Sequence, residues 1–425
     1  MTDTGDGSRH RAREVRTKRG VGSAAVVLLL LGTLGISTAY GMLLLLPLYV
    51  QELGGDEADF GLILSAGTVS AVLCIGALIR FPDVLRPHIV VASAIALYAL
   101  GAAGVSFTTQ TWTPLIGLGV LLGTAWAVVY TATPMVMSGM VSDEGRATYF
   151  GYLTGTQQVG IGVGPVIGRL LVETDLGFRG TFFAAGVMCL VAVALTLCVG
   201  MLTPDARTTV GTEKVGGDAP AAVPFGAAMG RILRSEAAFS LVMILLFACL
   251  FTSMTSFQTT FAGAQGLDFS VYYVTYTVAV ILSRFGLSGT AARYDTRLII
   301  AAAVSLMTLA VASFLLVGSS TLVYAVASAA LGLGYGLALP TVQAQAVNIS
   351  EESVRSRVLP IAGLLFQAAI LGFPLLAGWT IASFGYRALF VVLVSLALVQ
   401  VGIGWWRFAA ARKTRGGERA TSAAS

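Results

Sequence analysis

Residues 151–169 of the chain read GYLTGTQQVGIGVGPVIGR, an apolar helical segment with an unusual spacing of small residues. The pattern has five positions: Gly151, Gly160, Gly164, Pro165 and Gly168. The last three glycines are four residues apart, so they form a smooth stripe on one helix face, where a neighbouring helix backbone can approach closely in lipid. Pro165 lacks an N–H and crowds the carbonyl of Ile161, which predicts a bent or loosened helix at the stripe. A tight, kinked contact of this kind suits a sliding surface between moving parts of a membrane protein.

The composition is that of a polytopic membrane protein. Apolar residues make up 56% of the chain and charged residues 11%, against roughly 25% charged in soluble domains. Apolar runs long enough to span a bilayer, about 17–25 residues each, predict twelve helices that begin near residues 21, 59, 88, 113, 147, 180, 237, 270, 297, 321, 355 and 387. The first run extends from Val21 to Val50, far beyond a signal-peptide core, and is expected to be a retained first helix.

The distribution of basic residues predicts the orientation. With both termini in the cytoplasm, 23 of the 26 Lys and Arg residues lie inside, and only Arg169, Arg179 and Arg387 lie at or near the outer side. This asymmetry follows the positive-inside rule, so the net charge of +5 does not call for a nucleic-acid partner. The excess of Arg over Lys indicates a GC-rich bacterial genome. We therefore expect a multi-pass protein of a bacterial inner (plasma) membrane, with lipid as its surroundings.

Repeated sequence motifs predict a duplicated architecture. The sequence Leu176-Gly177-Phe178-Arg179 returns as Phe384-Gly385-Tyr386-Arg387, an offset of 208 residues, and Pro134 returns as Pro340. Duplicated halves of this kind place a substrate near the midplane between them. The expected segments are a basic cytoplasmic tail (1–20), an N-terminal six-helix half (21–202), a cytoplasmic linker (203–236), a C-terminal six-helix half (237–411) and a second cytoplasmic tail (412–425).

The glycine–proline pattern closely resembles the antiporter motif on the fifth helix of the drug:proton antiporters of the major facilitator superfamily. Arg169 stands where that motif ends in a second glycine. The resemblance covers residues 20–411 and implies an all-α membrane protein with 12 transmembrane helices in two pseudo-symmetric six-helix halves. It also implies a secondary active transporter that exports a small amphipathic compound, an antibiotic, metabolite or drug, by proton antiport with alternating access. Ordinary small-residue packing remains the alternative for the stripe taken alone.

The loops after the second and eighth helices share a second feature. Arg80 with Asp83 and Arg293 with Asp295 repeat an arginine followed by an acid. In the superfamily the corresponding loop carries an Asp-Arg pair that locks the halves, and here Arg replaces the Asp in both copies. Two interpretations stay open: a shifted charge latch that stabilises the outward-facing state, and simple positive-inside anchoring.

Candidate coupling residues are scarce. The fourth helix lacks the Arg and Gln, and the first helix lacks the carboxylate, that are found in many proton-coupled relatives. Arg169 and Glu173 are the charged residues expected well inside the membrane boundary, four apart on one helix face and able to pair. Buried charges in membranes are costly and usually functional. Three interpretations stay open: a pair that reaches to the outer interface, a proton acceptor tuned by Arg169, and a substrate contact.

Aromatic and amide side chains are the candidate substrate ligands. A wet cavity would satisfy buried amides and phenols, and aromatic faces with a few amides suit neutral or weakly charged amphipathic molecules. For each residue alone, packing or an interhelical hydrogen bond is the alternative. The candidates are Tyr40, Trp126, Tyr130, Gln157, Gln158, Gln258, Tyr276, Tyr335 and Gln367.

The sequence gives little support for a metal, catalytic or cofactor site. The four cysteines all fall in expected spans and the two histidines do not, so no cluster with metal-ligand character is expected, and neither catalytic residues nor a cofactor are predicted. The expected partners are a small-molecule substrate, protons and membrane lipid, and the expected state is a monomer. The competing function is an uptake permease or facilitator for a small nutrient, which the missing carboxylates would permit.

Overall fold

A computed structural model describes residues 6–80, 86–141, 146–203, 230–286 and 294–424. The chain is almost entirely helical in this part, and no strand occurs there. The predicted all-α class is therefore confirmed. The main helices are α1 (Asp6–Leu43), α2 (Leu46–Glu52), α3 (Glu57–Ala66), α4 (Thr68–Arg80), α5 (Pro87–Phe107), α6 (Leu115–Ser138), α7 (Arg146–Val172), α8 (Gly177–Leu202), α9 (Ala237–Ser256), α10 (Gln258–Ala264), α11 (Phe269–Gly286), α12 (Thr296–Ser313), α13 (Thr321–Asn348) and α14 (Glu352–Ala424).

Nine spans within the described residues are long and apolar enough to cross a membrane. The last of them, Arg357–Arg412, has 56 residues, twice the length needed, and it divides at Gly385, where the backbone is not helical. The less apolar helices α7 and α11 fall at two further predicted positions. The arrangement is consistent with the twelve predicted helices.

Local sequence explains where several helices begin and break. Pro47 stands in the first turn of α2, where its missing N–H costs nothing, and the chain turns between Leu43 and Leu46. Asp56 caps α3: its carboxylate accepts from the backbone N–H groups of Ala58 and Asp59. Asp59 in return accepts from the backbone of Asp56, which completes a capping box.

The repeated hairpin sequences share one backbone feature. Gly177 and Gly385, the second residues of the two copies, have φ values of +57° and +79°. This left-handed region strongly favours glycine, so the same requirement explains why both copies keep it. After Gly177 the side chain of Arg179 turns back, and its Nε donates to the carbonyl of Ser106 at 3.0 Å.

The chain divides into two compact units. The first comprises Met1–Leu43, Leu73–Phe107 and Leu121–Glu213, and the second comprises Leu44–Val72, Thr108–Val120 and Lys214–Ser425. This division differs from the predicted six-helix halves, because α3 packs on α14 and so groups with the C-terminal part. The linker prediction falls mostly on residues 204–229, outside the described part, so the predicted halves stay a prediction.

Helical structure extends into both predicted tails. The helix α1 begins at Asp6 and α14 ends at Ala424, although residues 1–20 and 412–425 were expected to flank the membrane domains. Arg and Ala, which have high helix propensity, occur in both extensions, together with poorer helix formers such as Gly and Thr.

Candidate functional site

The predicted glycine stripe lies against α1 within the first compact unit. A Cβ added at Gly160 would meet the Cβ of Ser37 at 2.6 Å and the backbone nitrogen of Thr38 at 2.8 Å. A Cβ at Gly164 would meet the Cα of Gly41 at 2.5 Å and its carbonyl carbon at 2.7 Å. Real Cβ contacts are longer than this, so both positions admit only glycine at the present helix separation.

The proline of the pattern contributes to the same contact. Pro165 has no N–H to offer to the carbonyl of Ile161, four residues earlier. That carbonyl lies against Gly41, where an added Cβ would meet the Ile161 oxygen at 2.7 Å. The freed carbonyl therefore points at the glycine of α1, and the two backbones approach each other directly.

The remaining two glycines of the pattern behave differently. Gly168 is buried. Gly151 faces open space, since an added Cβ there would meet no atom within 4 Å. Gly160 and Gly164 thus make close backbone contacts, and Gly151 lies outside the close part of the interface.

An aromatic cluster in the first unit contains three predicted ligands. The rings of Tyr40 and Trp126 stack, with centroids 4.0 Å apart and planes inclined by 20°. Tyr130, one turn further along α6, lies 6.4 Å from Trp126 in a tilted arrangement. Trp126 is buried whereas Tyr40 and Tyr130 are half-buried, so the two tyrosines form the accessible edge of the cluster.

The two amides of the same unit are buried on α7. Gln157 and Gln158 are each 6% exposed, and the Nε2 of Gln158 has no hydrogen-bond partner among the described residues. The hydroxyl of Ser37 on α1 is also buried without a partner. A native protein pairs such groups with few exceptions, so unpaired donors here are what a polar ligand or water would satisfy.

A second aromatic cluster lies in the second unit. Tyr335 of α13 stacks on Phe251 at 5.1 Å and meets Tyr276 of α11 at 6.2 Å. Tyr276 in turn stacks on Tyr272 at 5.5 Å. The hydroxyls of Tyr272 and Tyr276 are buried without a partner in the described part of the chain.

The remaining predicted ligands of this unit differ in their surroundings. The Oε1 of Gln258 accepts from the hydroxyl of Tyr324 at 2.9 Å, an interhelical bond between α10 and α13. Gln258 therefore fits the packing alternative. Gln367 on α14 is 1% exposed, and neither its Nε2 nor its Oε1 has a described partner. Of the two amides, Gln367 is the one free to bind something else.

The helix α3, which is the first half of the second predicted span, packs on α14 through glycines. A Cβ at Gly61 would meet the carbonyl carbon of Pro374 at 3.1 Å, and a Cβ at Gly378 would meet the Cα of Ala58 at 3.2 Å. The hydroxyl of Ser65 accepts from the backbone N–H of Leu375 at 3.0 Å. This backbone-to-backbone contact was not predicted from the sequence.

The carboxylate of Glu57 accepts hydrogen bonds at one end of the α3–α14 contact. The Oε1 of Glu57 accepts from the hydroxyl of Tyr386 at 2.8 Å and from the Nε2 of Gln51 at 2.9 Å. Charge-assisted bonds of this kind are about twice as strong as neutral ones. The sequence alone assigned no role to Glu57, although Tyr386 follows the repeated glycine and was the available signal.

The predicted coupling pair forms. The Nε of Arg169 and the Oε1 of Glu173 are 2.8 Å apart, but the side chains are 36% and 57% exposed. Among the repeated loop residues, Arg80 is exposed at the end of α4, and the carboxylate of Asp295 caps α12 by accepting from the backbone of Arg297. Asp83 and Arg293 lie outside the described residues, so the charge latch stays a prediction.

A further charge is more deeply buried within the protein than that pair, whose predicted role stays a prediction. Arg407 is 6% exposed. Its guanidinium donates to Ser240, Gln345 and Glu236, each at 3.3 Å. Arg407 falls near the end of the last apolar run and was assigned no role from the sequence, whereas packing against α9 and α13 buries it.

The described residues hold no group of three or more His, Cys, Asp or Glu side chains that could bind a metal ion. The four cysteines are free thiols. The candidate site is thus built from aromatic rings, amides and close helix contacts.

Comparison with known proteins identifies the family. The model of the Major Facilitator Superfamily matches residues 26–372 and 291–424. The multidrug resistance protein MdtG of Citrobacter koseri is 29% identical over 174 residues, which cover 40% of this chain and 42% of MdtG. The quinolone resistance protein NorA of Staphylococcus aureus is 23% identical over 174 residues, 40% of this chain and 43% of NorA. The aligned segment thus covers about two-fifths of these relatives.

Solved structures share the fold over nearly the whole length. The nucleoside transporter NupG superposes with a TM-score of 0.68 at 12% identity, covering 90% of this chain and 99% of NupG. The human organic anion transporter MFSD10 superposes with a TM-score of 0.62 at 18% identity, covering 90% of this chain and 99% of MFSD10. At these identities the likeness concerns the fold alone.

Proposed function

The chain belongs to the Major Facilitator Superfamily, a family of membrane transporters, and from that premise we propose that it exports small amphipathic compounds. The export is driven by the proton gradient through alternating access. It takes place at a bacterial inner membrane, with both termini in the cytoplasm and the protein acting as a monomer. The names of two relatives, a multidrug and a quinolone resistance protein, support this direction of transport.

One observation carries the proposal most directly. The pattern that resembles the antiporter motif forms a real backbone contact, in which Gly160 and Gly164 press on α1. A contact made of glycines has few side-chain projections to interlock, so the two helices can shift past each other at low cost. Such a surface is what a transporter needs when it changes conformation.

We propose that each aromatic cluster contacts the exported compound. In the first unit, the half-buried edge of Tyr40 and Tyr130 offers aromatic faces, and Gln158 offers an unpaired donor. In the second unit, Tyr276 and Gln367 offer buried polar atoms without described partners. These groups are neutral, and aromatic faces with sparse polar contacts favour amphipathic molecules over small ions or sugars.

Energy coupling has two candidate acids. Glu173 pairs with Arg169 but is largely exposed, so solvent screens the interaction. Glu57 is half-buried and is bound by two neutral donors at the α3–α14 contact. A coupling acid must change its partners during the cycle. The partners of Glu57 come from two different helices, whereas Arg169 lies one turn before Glu173 at the end of α7.

The competing function is uptake or facilitated diffusion of a small nutrient. A nucleoside transporter has the same fold, so the fold itself does not separate the two directions.

Transport in energised bacterial cells tests the proposal. Cells lacking their own efflux pumps and expressing this chain are loaded with ethidium or a fluoroquinolone, and the retained compound is followed before and after an uncoupler. Export predicts lower retention that the uncoupler abolishes. Higher accumulation in the expressing cells, or retention equal to that of cells expressing Gly164→Leu, would refute export of these compounds.

A further inference from the structure

A groove on the first unit is not used by the proposed transport site. It has a volume of about 530 Å³ and is lined by α4, α5 and α6. Several of its lining residues have small side chains: Ser93 and Ala94 of α5, and Ala125 of α6. The walls are almost wholly apolar, with Thr124 and Cys74 as further lining residues.

A positively charged side chain lies at one end of the groove. Arg86, the residue before α5, lines the groove and is exposed. Within the described part of the chain Arg86 makes no ion pair. An unpaired arginine beside apolar walls complements a molecule that has an anionic head and an apolar body.

The length of the groove matches one leaflet of a bilayer. Its lining runs along α5 from Arg86 to Leu97, a rise of about 16 Å at 1.5 Å per residue. Half of a hydrocarbon core about 30 Å thick is about 15 Å. Leu73 and Ile89 beside the groove are 68% and 45% exposed, as expected of side chains that face lipid.

We propose that this groove binds one anionic phospholipid, with the phosphate on Arg86 and an acyl chain along α5 towards Leu97. The predicted topology places Arg86 on the cytoplasmic side, where the leaflet contains anionic lipid. Charge and length together select this occupant: the apolar walls accept any acyl chain, whereas the exposed guanidinium of Arg86 selects the head group. The site is independent of the direction of transport.

Native mass spectrometry of the purified full-length chain in a non-ionic detergent tests the head group. Added phosphatidylglycerol should be retained at one molecule per chain, and phosphatidylcholine about fivefold less. That ratio corresponds to roughly 1 kcal/mol for one basic residue near an anionic group. Arg86→Gln should lower phosphatidylglycerol retention about fivefold, whereas Arg86→Lys keeps the charge and should retain it. Arg231→Gln removes an exposed arginine that does not line the groove and is the matched control.

A second pair of variants tests the acyl chain. Ser93→Phe places a ring in the groove from an exposed position, and it should lower the retention of both phospholipids. Leu100→Phe adds a ring on the same helix, at a 66% exposed position outside the groove lining, and should have no effect. Equal retention of the two lipids, unchanged binding by Arg86→Gln and Ser93→Phe, or tighter binding of free laurate than of phosphatidylglycerol would overturn the proposal.

Discussion

Substituting Gly164 tests whether the α1–α7 contact is needed for transport. An added Cβ would lie 2.5 Å from the Cα of Gly41 and 2.7 Å from its carbonyl carbon, whereas ordinary Cβ contacts begin at about 3.4 Å. Both atoms belong to the backbone, so no rotamer change relieves the clash, and the helices must separate by about 1 Å. We expect overpacking of this kind to cost about 1–3 kcal/mol.

The loss of transport should increase with the size of the side chain introduced at position 164. Gly164→Ala gains up to about 1 kcal/mol of helix propensity, which offsets part of the clash, so transport should fall without being lost. Gly164→Leu adds three more carbons into the same space and should abolish export while the protein stays in the membrane. Gly402→Leu is the matched control, because an added Cβ there meets nothing within 4 Å.

Two measurements decide the outcome. Export of ethidium from energised cells reports function, and thermal unfolding of the purified variants reports the packing cost. Wild-type export by Gly164→Leu, together with an unchanged unfolding temperature, would refute the interface argument. Loss of export by Gly402→Leu as well would show that the chain is sensitive to any enlarged glycine.

Four further substitutions address other contacts. Trp126→Ala should change which compounds are exported more than it changes abundance, as measured by resistance profiles and immunoblots, because its ring stacks in a proposed substrate-contacting cluster. Tyr386→Phe removes a donor from the carboxylate of Glu57 and should loosen the α3–α14 contact, which faster maleimide labelling of a cysteine introduced at position 65 would report. Glu236→Gln leaves the buried Arg407 without a carboxylate and should lower the unfolding temperature more than Arg407→Met, which removes the buried charge itself.

The helices of this chain could be predicted because their signals are local. Apolar runs of spanning length and the repeated glycine before each last helix placed most of the elements, and the two left-handed glycines, Gly177 and Gly385, explain the hairpin repeat. The division into units could not be predicted, because it depends on which helices touch. The packing of α3 on α14 joins residues more than 300 positions apart.

The part of the candidate site that could be predicted is the part built from glycines. Gly160 and Gly164 pack as the spacing predicted, because only a missing side chain allows that approach. The amides were harder to assign: Gln258 is bound by Tyr324, whereas Gln367 has no described partner, and nothing in the sequence near either residue distinguishes them. The burial of Arg407 could not be predicted, because burial of a charge depends on its neighbours from other helices.

The α3–α14 contact is suited to opening and closing because most of it is backbone against backbone. Gly61 and Gly378 bring the chains together without interlocking side chains. The side-chain bonds across it are the one from Tyr386 to Glu57 and those of Ser65 with Gly372 and Leu375. At about 0.5–1.5 kcal/mol net for each neutral bond and about 1.5–3 kcal/mol for the bond to the Glu57 carboxylate, they total roughly 2.5–6 kcal/mol. A ligand must supply about 5.5 kcal/mol to reverse a 1:99 equilibrium. The polar part of this contact is therefore of the same order as the free energy that such a ligand supplies.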